Sequence, residues 1–299
     1  MRFFWICIVV ILIFGCNKTH KGEGDGTRHS ISIDNERRRF QVYTPKSYDK
    51  SKEYPVMIAL HGRYGNARNM AKMTGFNPLA DAHEFIIVYP NGYKRSWNDG
   101  RGESPASVDN IDDVKFIQGI IGFLTANYAI DEDRLFVSGM SNGGFMAMRL
   151  ACEMATTFKA CVSVTGSLAA NFDCVPDATM NILLFAGTDD ELVPYEGGEV
   201  ASSGSFSKGF EKLLDFWGEQ NACSDFTTEK LPKTTDDITE IEKLSYTNCA
   251  DNTTCTLYKI INGGHTWSMG NNFFGENTTG VSSEEINASE TIIAFCLGL

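Results

Sequence analysis

The sequence has little positive charge, and its apolar N-terminal run is short. Its 299 residues hold 26 Lys and Arg against 38 Asp and Glu, a formal net charge of −12 at pH 7. No basic patch is present that could follow a phosphate backbone, so nucleic acid is not expected as a partner. The apolar run Phe3–Phe14 is too short to span a bilayer as a helix. No internal repeat or domain boundary is visible.

The N-terminus has the features of an export signal. The run Phe3–Phe14 follows Met1-Arg2 and is typical of a signal-peptide core. It leads to Gly15-Cys16, and a small residue before a cysteine resembles the lipobox of bacterial lipoproteins. We expect residues 1–16 to be a lipoprotein-type signal with Cys16 lipidated, the alternative being a plain secretory signal cut nearby. Residues 17–28 are expected to be a flexible tether and 29–299 a single exported domain, with membrane contact only through the lipid anchor.

Cysteines are numerous, but their spacing does not indicate zinc. Nine are present, and removing Cys7 and Cys16 of the signal region leaves 9 − 2 = 7, so at least one thiol is free. Cys161 lies in an apolar, strand-like run and is the expected free thiol. The connectivity is open, with these candidate pairs: Cys152 with Cys174, and Cys223 with Cys249 or Cys255. None has zinc-ligand spacing with histidine, so a metal site is not expected.

Short apolar runs alternate with helix-compatible segments along the chain. This alternation predicts an α/β protein with a mostly parallel central sheet and helices on both faces. An N-terminal hairpin precedes these buried strands: Pro55–Leu60, Phe85–Pro90, Arg134–Val137, Ala160–Val164, Asn181–Ala186 and Thr256–Ile261. Helices are expected within Asn69–Glu84, from Asp112, and over Phe206–Gly218 and Glu284–Leu297. Residues 224–242 are polar and are expected to be a surface excursion.

One strand-to-helix turn carries a nucleophile motif. Gly139-Met140-Ser141-Asn142-Gly143 matches Gly-x-Ser-x-Gly between an apolar run and a helix-compatible run. This is the context of the nucleophile elbow of α/β-hydrolases, in which the serine hydroxyl stands above the sheet edge. The glycines flanking the serine avoid a clash in the tight turn. The alternative is an ordinary glycine-rich turn.

The position of the histidines supports the hydrolase interpretation. The α/β-hydrolase order is Ser, then acid, then His. Among the five histidines, His20, His29, His61, His83 and His265, only His265 follows Ser141. Asp190 is the expected acid because it follows a strand end by a short turn. Asp189 and Glu191 compete with it, and each acid is equally compatible with a turn or helix-cap role.

Two backbone amides and two tryptophans complete the predicted site. The oxyanion is expected to bind the backbone N–H of Asn142, directly after the nucleophile, and that of Arg63, in the loop after a strand. His61 is expected to be structural. Trp97 and Trp267 lie in loops at the same sheet edge and are candidates for a substrate pocket, with a packing role as the alternative.

Several segments together resemble the polyhydroxybutyrate-depolymerase and feruloyl-esterase-like group of α/β-hydrolases, similar to carbohydrate esterase family 1. The resemblance covers residues 30–297 and rests on these segments: Leu60–Gly62, Trp97–Gly102, Asp112–Ile117, Gly139–Gly144, Gly187–Asp190, Val193–Gly198 and Gly263–Trp267. It implies the α/β-hydrolase fold, Asp190 as the acid, and carboxylester hydrolysis without cofactor or metal. Ala186 and Ser268 stand where this group often has His and Pro, which leaves the substrate open.

The sequence thus predicts an exported serine esterase acting through an acyl-enzyme. Feruloyl or acetyl esters of plant cell-wall polysaccharide are the expected substrates. The alternatives are a polyhydroxyalkanoate depolymerase and a non-catalytic α/β-hydrolase binding protein, and the complete Ser, Asp and His set argues against the latter. No feature of the sequence indicates the oligomeric state.

Overall fold

The computed structural model describes residues 21–22, 26–201 and 203–298. The signal peptide and Cys16 lie outside these residues. The strands, in chain order, are β1 Lys21–Gly22, β2 Gly26–Ile33, β3 Glu36–Tyr43, β4 Tyr54–Leu60, β5 Ile86–Pro90, β6 Ile130–Met140, β7 Ala160–Val164, β8 Asn181–Gly187, β9 Gly197–Glu199, β10 Phe206–Lys208, β11 Asp225–Lys230, β12 Glu240–Thr247 and β13 Cys255–Ile261. The helices are α1 Ala67–Thr74, α2 Phe76–His83, α3 Pro105–Val108, α4 Asp113–Asn127, α5 Asn142–Glu153, α6 Phe210–Gln220, α7 Glu276–Thr279 and α8 Ala288–Leu297, with a 3₁₀ turn at Ala250–Asn252.

Most strands of the described residues join in one sheet. Its order is β1-β2-β3-β5-β4-β6-β7-β8-β13-β12-β11, and β9 and β10 pair separately. The central strands, from β5 through β4, β6, β7 and β8 to β13, run parallel. Antiparallel strands extend both edges. The predicted α/β-hydrolase fold with a mostly parallel central sheet is confirmed.

Both faces of the sheet are covered by apolar packing. Every residue of β4 is buried. Val56, Ile58 and Leu60 pack into one core with α4, α5 and α6, while Met57 and Ala59 pack into a second core with α1, α2 and α8. Successive strand residues point to opposite faces, so a strand covered on both sides must be apolar throughout. The continuous apolar runs of the sequence follow from this arrangement.

Several predicted elements differ from the structure. Residues 224–242 are mostly exposed, as the predicted surface excursion requires, but they contain β11 and the start of β12. All residues of β11 are exposed, so the strand has no buried face to produce an apolar signal. The helix expected within Asn69–Glu84 is two helices, since Gly75 adopts a left-handed φ of 59° between α1 and α2. Phe206–Lys208 forms β10, and α6 begins only at Phe210.

Part of the stretch predicted as a tether is paired in the sheet. Within residues 17–28, Lys21 pairs with Thr27 and Gly22 with Gly26 across β1 and β2. Thr27 also pairs with Val42 of β3, so the hairpin continues into this stretch. Among the described residues, no helix is both long and apolar enough to cross a membrane.

The described residues contain two disulfides, of which one joins a buried helix residue to a surface loop and the other joins two surface segments. Cys152 of α5 is bonded to Cys174, and Cys223 is bonded to Cys249. Of the two partners considered for Cys223, the structure uses Cys249, because Cys255 is buried in β13 and accepts a hydrogen bond from Asn221 Nδ2 at 3.1 Å. Cys161 is a buried free thiol, as expected.

Candidate active site

Ser141 occupies a strained turn between β6 and α5. Its backbone has φ 55° and ψ −121°, a conformation that non-glycine residues rarely adopt. A Cβ on Gly139 would lie 2.1 Å from Gly143 O, and one on Gly143 would lie 2.3 Å from Leu60 O. Both glycines are therefore required by the closeness of the backbone in the turn. Strain of this kind is typical of functional positions, and here it places Ser141 at the carboxyl end of the sheet.

Asp190 and His265 form a buried pair on neighbouring loops. Asp190 follows β8 and His265 follows β13, and these strands are parallel neighbours. His265 Nδ1 lies 2.7 Å from Asp190 Oδ2, while Asp190 Oδ1 accepts hydrogen bonds from the N–H groups of Leu192 and Val193 at 2.9 and 2.8 Å. Because the carboxylate accepts, Nδ1 carries the proton and Nε2 of the neutral ring holds the free lone pair.

The competing acids point elsewhere. The side chain of Asp189 is exposed and accepts a hydrogen bond from Thr188 Oγ1 at 2.9 Å. Glu191 is also exposed. Of the three acids considered from the sequence, Asp190 is the one that contacts the His265 ring.

The loop after β8, which carries Asp190, and the loop after β13, which carries His265, are hydrogen-bonded to each other. The Asp189 N–H donates to Gly263 O at 2.9 Å, and the Asn262 N–H donates to Thr188 Oγ1 at 2.9 Å. The His265 N–H also donates to Thr279 O at 2.5 Å. The ring of His265 is therefore fixed through its backbone as well as through Asp190.

Ser141 and His265 line the same cavity. Within the described residues, Ser141 Oγ is not hydrogen-bonded to the His265 ring. Contacts of this kind often tighten only when substrate is bound. The arrangement supplies a hydroxyl, an imidazole with a free Nε2, and a carboxylate behind it, which are the groups needed for nucleophilic attack on an acyl carbon.

The predicted oxyanion donors belong to segments that lie close to Ser141. Asn142 is the first residue of α5, so its N–H has no partner four residues back and lies at the positive end of the helix dipole. Arg63 follows Gly62, and a Cβ on Gly62 would lie 3.4 Å from the Ser141 Cβ. Neither N–H donates to a protein acceptor within the described residues. Two free amides beside one hydroxyl suit an oxyanion.

His61 lies beside the site but is fully engaged. Its Nδ1 lies 2.8 Å from Gly62 O, and its Nε2 accepts from the Gly92 N–H at 3.0 Å. These partners require the neutral tautomer with the proton on Nδ1. Burial lowers the pKa of His61 to about 4. The structural role predicted for His61 fits these contacts.

Trp97 is not a pocket residue. Its side chain is fully buried and does not line the cavity, and its Nε1 donates to His61 O at 2.7 Å. The prediction for Trp97 was wrong because its loop folds inward beneath the site. Trp267 does line the cavity, with its Nε1 hydrogen-bonded to Ser289 Oγ at 2.9 Å.

The cavity over Ser141 has a volume of about 550 Å³. One part of its wall is apolar, and another part is charged, carrying Arg63, Arg95, Arg101 and Glu103. The apolar part is formed by Met70, Met73, Met140, Leu192, Val193, Val200, Trp267, Phe273 and Phe274. In the described part of the chain, no group of three or more His, Cys, Asp or Glu side chains is placed to hold a metal ion.

Sequence reasoning missed the charged residues beside the predicted oxyanion donors. Asp99 and Arg101 belong to a motif that supports the family resemblance, but no role was assigned to them, and Glu103 was not singled out. Charged residues between glycines look like an ordinary polar loop, and the signal that points to them is burial. Asp99 is fully buried and Arg101 is 4% exposed.

Comparison with known proteins places this geometry in context. A family model described as "Putative esterase" matches residues 30–257. "Putative esterase NocK" of Nocardia uniformis subsp. tsuyamanensis is 26% identical over 255 residues, which is 82% of this chain and 74% of that protein. Feruloyl esterase C of Emericella nidulans is 30% identical over 166 residues, or 54% of this chain and 58% of the relative. The match therefore spans less than two thirds of that fungal protein.

Solved structures share the fold. The acetyl xylan esterase from Aspergillus awamori superposes with a TM-score of 0.58 at 12% identity, covering 90% of this chain and 99% of that chain. A thermostable esterase gives a TM-score of 0.51 at 19% identity, covering 66% and 52%. At these identities the similarity establishes a common fold and carries no information on substrate.

Proposed function

This chain belongs to the feruloyl esterase-like esterase family and is a carboxylic ester hydrolase, and we propose that it cleaves its ester through an acyl-enzyme on Ser141. In this proposal His265 is the general base and then the general acid. Asp190 holds the imidazole tautomer, and the backbone N–H groups of Asn142 and Arg63 bind the oxyanion.

The proposed reaction has two halves. Ser141 Oγ attacks the acyl carbon while His265 Nε2 takes the hydroxyl proton, and the carbonyl oxygen becomes the oxyanion. The ester C–O bond then breaks, and the alcohol leaves with the proton from His265. Water attacks the acyl-enzyme by the same route, releasing the acid and restoring Ser141.

One observation carries this proposal. His265, whose Nδ1 lies 2.7 Å from Asp190 Oδ2, lines one cavity with Ser141 at the carboxyl ends of parallel strands. These residues come from three separate loops after β6, β8 and β13. A turn or capping role would explain any one of them, but it would not explain their convergence.

For the substrate we infer a feruloyl or acetyl ester carried by plant cell-wall polysaccharide. The apolar wall of the cavity, with Trp267, Phe273 and Phe274, suits an aryl or small acyl group. The relatives named feruloyl esterase C support the same substrate class. The ring of Phe273 is half-exposed and that of Phe274 is exposed, and we place the polymeric alcohol on this side of the cavity.

We also infer that the domain acts outside the cytoplasm. The two disulfides support an oxidising compartment. Attachment through a lipid on Cys16 remains the proposal drawn from the sequence. Metabolic labelling with palmitate tests it, because label must enter the wild type and be absent from Cys16→Ala.

A substrate panel tests the function. Purified protein is assayed with methyl ferulate, acetylated xylan, 4-nitrophenyl acetate and polyhydroxybutyrate, beside Ser141→Ala as the matched variant. We expect hydrolysis of the first three and loss of all activity in Ser141→Ala. Activity on none of the esters, or full activity in Ser141→Ala, contradicts the proposal, and turnover of polyhydroxybutyrate alone favours a polyester depolymerase.

A further inference from the structure

A network of charged side chains forms part of the cavity wall and continues inward to the buried Asp99. Arg101 contacts Asp99 Oδ2 through Nε at 3.0 Å and through Nη2 at 2.6 Å. Arg101 Nη2 also lies 3.4 Å from Glu103 Oε1, and Glu103 Oε2 forms an ion pair with Arg63 Nη1. The Arg101 guanidinium stacks 4.0 Å from the ring centroid of Phe145 on α5. Four charged side chains, from residue 63 and residues 99–103, are thus paired on one side of the cavity.

One end of this network holds Asn142. The Asn142 Oδ1 accepts from the Trp97 N–H at 2.8 Å, and its Nδ2 donates to Trp97 O at 3.1 Å. The same Nδ2 donates to Asp99 Oδ2 at 2.5 Å. The side chain of the residue that provides one proposed oxyanion amide is therefore fixed by three hydrogen bonds to residues 97–99.

The other end of the network holds the loop of residues 61–63, in which Arg63 provides the second proposed oxyanion amide. The side chain of Arg63 is bound to Glu103, and Trp97 Nε1 donates to the carbonyl of His61 at 2.7 Å. Residues 96–104 consequently contact the chain on both sides of the proposed oxyanion position. Asp99 and Arg101 are nearly or fully buried and the side chain of Glu103 is 13% exposed, so solvent weakens the contacts among these three little, whereas Arg63 is 31% exposed.

We propose that Asp99, Arg101 and Glu103 are positioning residues that set the distance between the Asn142 and Arg63 amides. This inference rests on the proposed serine-esterase function. Burying paired charges contributes little to stability compared with apolar packing, so stability alone does not explain such a network. Oxyanion donors act only when they are fixed at hydrogen-bond distance from the developing charge, and a relay of charge-assisted bonds supplies this rigidity.

Glu103→Gln tests the relay, because it removes the charge and keeps the shape. Loss of one whole oxyanion donor costs about 100- to 1,000-fold in rate, so loosening one should lower kcat/KM for 4-nitrophenyl acetate about 10-fold. The KM should change less than about twofold, since the amides bind the transition state more strongly than the ground state. The Ki of phenylboronic acid, which forms a tetrahedral anionic adduct on the serine, should rise by the same factor as kcat/KM falls.

A double-mutant cycle distinguishes a positioning role of the Arg63–Glu103 pair from a general loosening of the fold. Arg63→Gln removes the side chain partner but keeps the backbone amide, so Arg63→Gln with Glu103→Gln should lose no more activity than either change alone. Asp81→Asn is the matched control, because Asp81 is a similarly shielded carboxylate paired with Lys46 away from the cavity. We expect wild-type kinetics from it. Where Glu103→Gln does not fold, Arg63→Gln alone carries the kinetic and boronate measurements.

Unchanged kcat/KM and boronate affinity in Glu103→Gln, or additive losses in the double variant, overturn the positioning role. A loss confined to thermal stability does the same. Failure of the proposed function is recognised separately, since the wild type would then hydrolyse no ester or Ser141→Ala would keep its activity.

Discussion

Replacing Asp190 by Asn should trap His265 in the wrong tautomer. Asp190 Oδ1 accepts two backbone N–H groups, from Leu192 and Val193, and Oδ2 faces His265 Nδ1. In Asp190→Asn the single carbonyl oxygen is needed by the two N–H groups, so the NH₂ group turns toward the ring. His265 Nδ1 must then accept a hydrogen bond, and the ring proton moves to Nε2. A ring protonated at Nε2 cannot take the proton of Ser141.

The expected loss is large because the base is removed while the fold is kept. A tautomer error of this kind lowers kcat by about 10⁴-fold, which corresponds to about 5 kcal/mol of transition-state stabilisation. Steady-state kinetics with 4-nitrophenyl acetate measure kcat, and thermal unfolding reports on the fold. The melting temperature should change little, since Asn fills the same volume and keeps the two bonds to the loop.

Asp189→Asn is the matched control for this prediction. Asp189 is adjacent in sequence and exposed, and its side chain accepts from Thr188 rather than from His265. Its activity should stay within about twofold of wild type, as for most surface substitutions. A larger loss in Asp189→Asn than in Asp190→Asn would refute the assignment of the acid.

Three further predictions concern the fold around the site. Burial lowers the pKa of His61 from 6.5 to about 4, so its contribution to stability is complete above pH 6.5 and is lost as the pH falls toward 4. Urea unfolding should show about 3 kcal/mol of this pH dependence in the wild type and none of it in His61→Gln. An equal dependence of the free energy of unfolding on pH in the wild type and in His61→Gln would contradict this prediction. Gly143→Ala should abolish activity and lower the melting temperature, because its Cβ would lie 2.3 Å from Leu60 O; an active, stable variant would show that the elbow relaxes. Cys152→Ala with Cys174→Ala should lower the free energy of unfolding by about 3 kcal/mol for a loop of 22 residues, with kcat unchanged; lost activity at full stability would give this disulfide a different role.

The parallel strands at the centre of the sheet can be predicted from the sequence, whereas the edge strand β11 cannot. Strands buried on both faces, such as β4 and β8, must be apolar throughout, and that pattern stands out from the helices between them. The strand β11 is exposed along its whole length and is held by backbone pairing with β12. Its polar, threonine-bearing sequence contains no burial signal, so it resembles a loop. Hydrogen bonding to a neighbouring strand, which a single sequence does not display, decides its conformation.

The residues after the strand ends were also accessible from the sequence. Ser141, Asp190 and His265 each follow a recognisable strand, and the parallel arrangement brings such positions to one edge. Trp97 misled the prediction because an aromatic residue in a polar loop looks exposed, whereas this loop turns under the site and buries it. The proposed role of Glu103 could not be predicted from the sequence, for a different reason. Its proposed importance comes from contacts with Arg63 and Arg101. These contacts depend on the tertiary structure and cannot be seen in the local sequence.

The proposed catalytic residues and the wall of the cavity come from different parts of this molecule. Ser141, Asp190 and His265, the proposed nucleophile, acid and base, lie on short loops held by the sheet, where a displacement of one strand would separate them. The cavity wall comes instead from longer segments, including residues 192–201, Ser203 and residues 271–279, of which the last leaves Phe273 half-exposed and Phe274 exposed. Such surface segments tolerate substitution without loss of the sheet. Replacing Phe274 by Ala should therefore raise the KM for methyl ferulate more than that for 4-nitrophenyl acetate while leaving kcat unchanged. An equal rise in both would mean that this ring does not contact the aryl group.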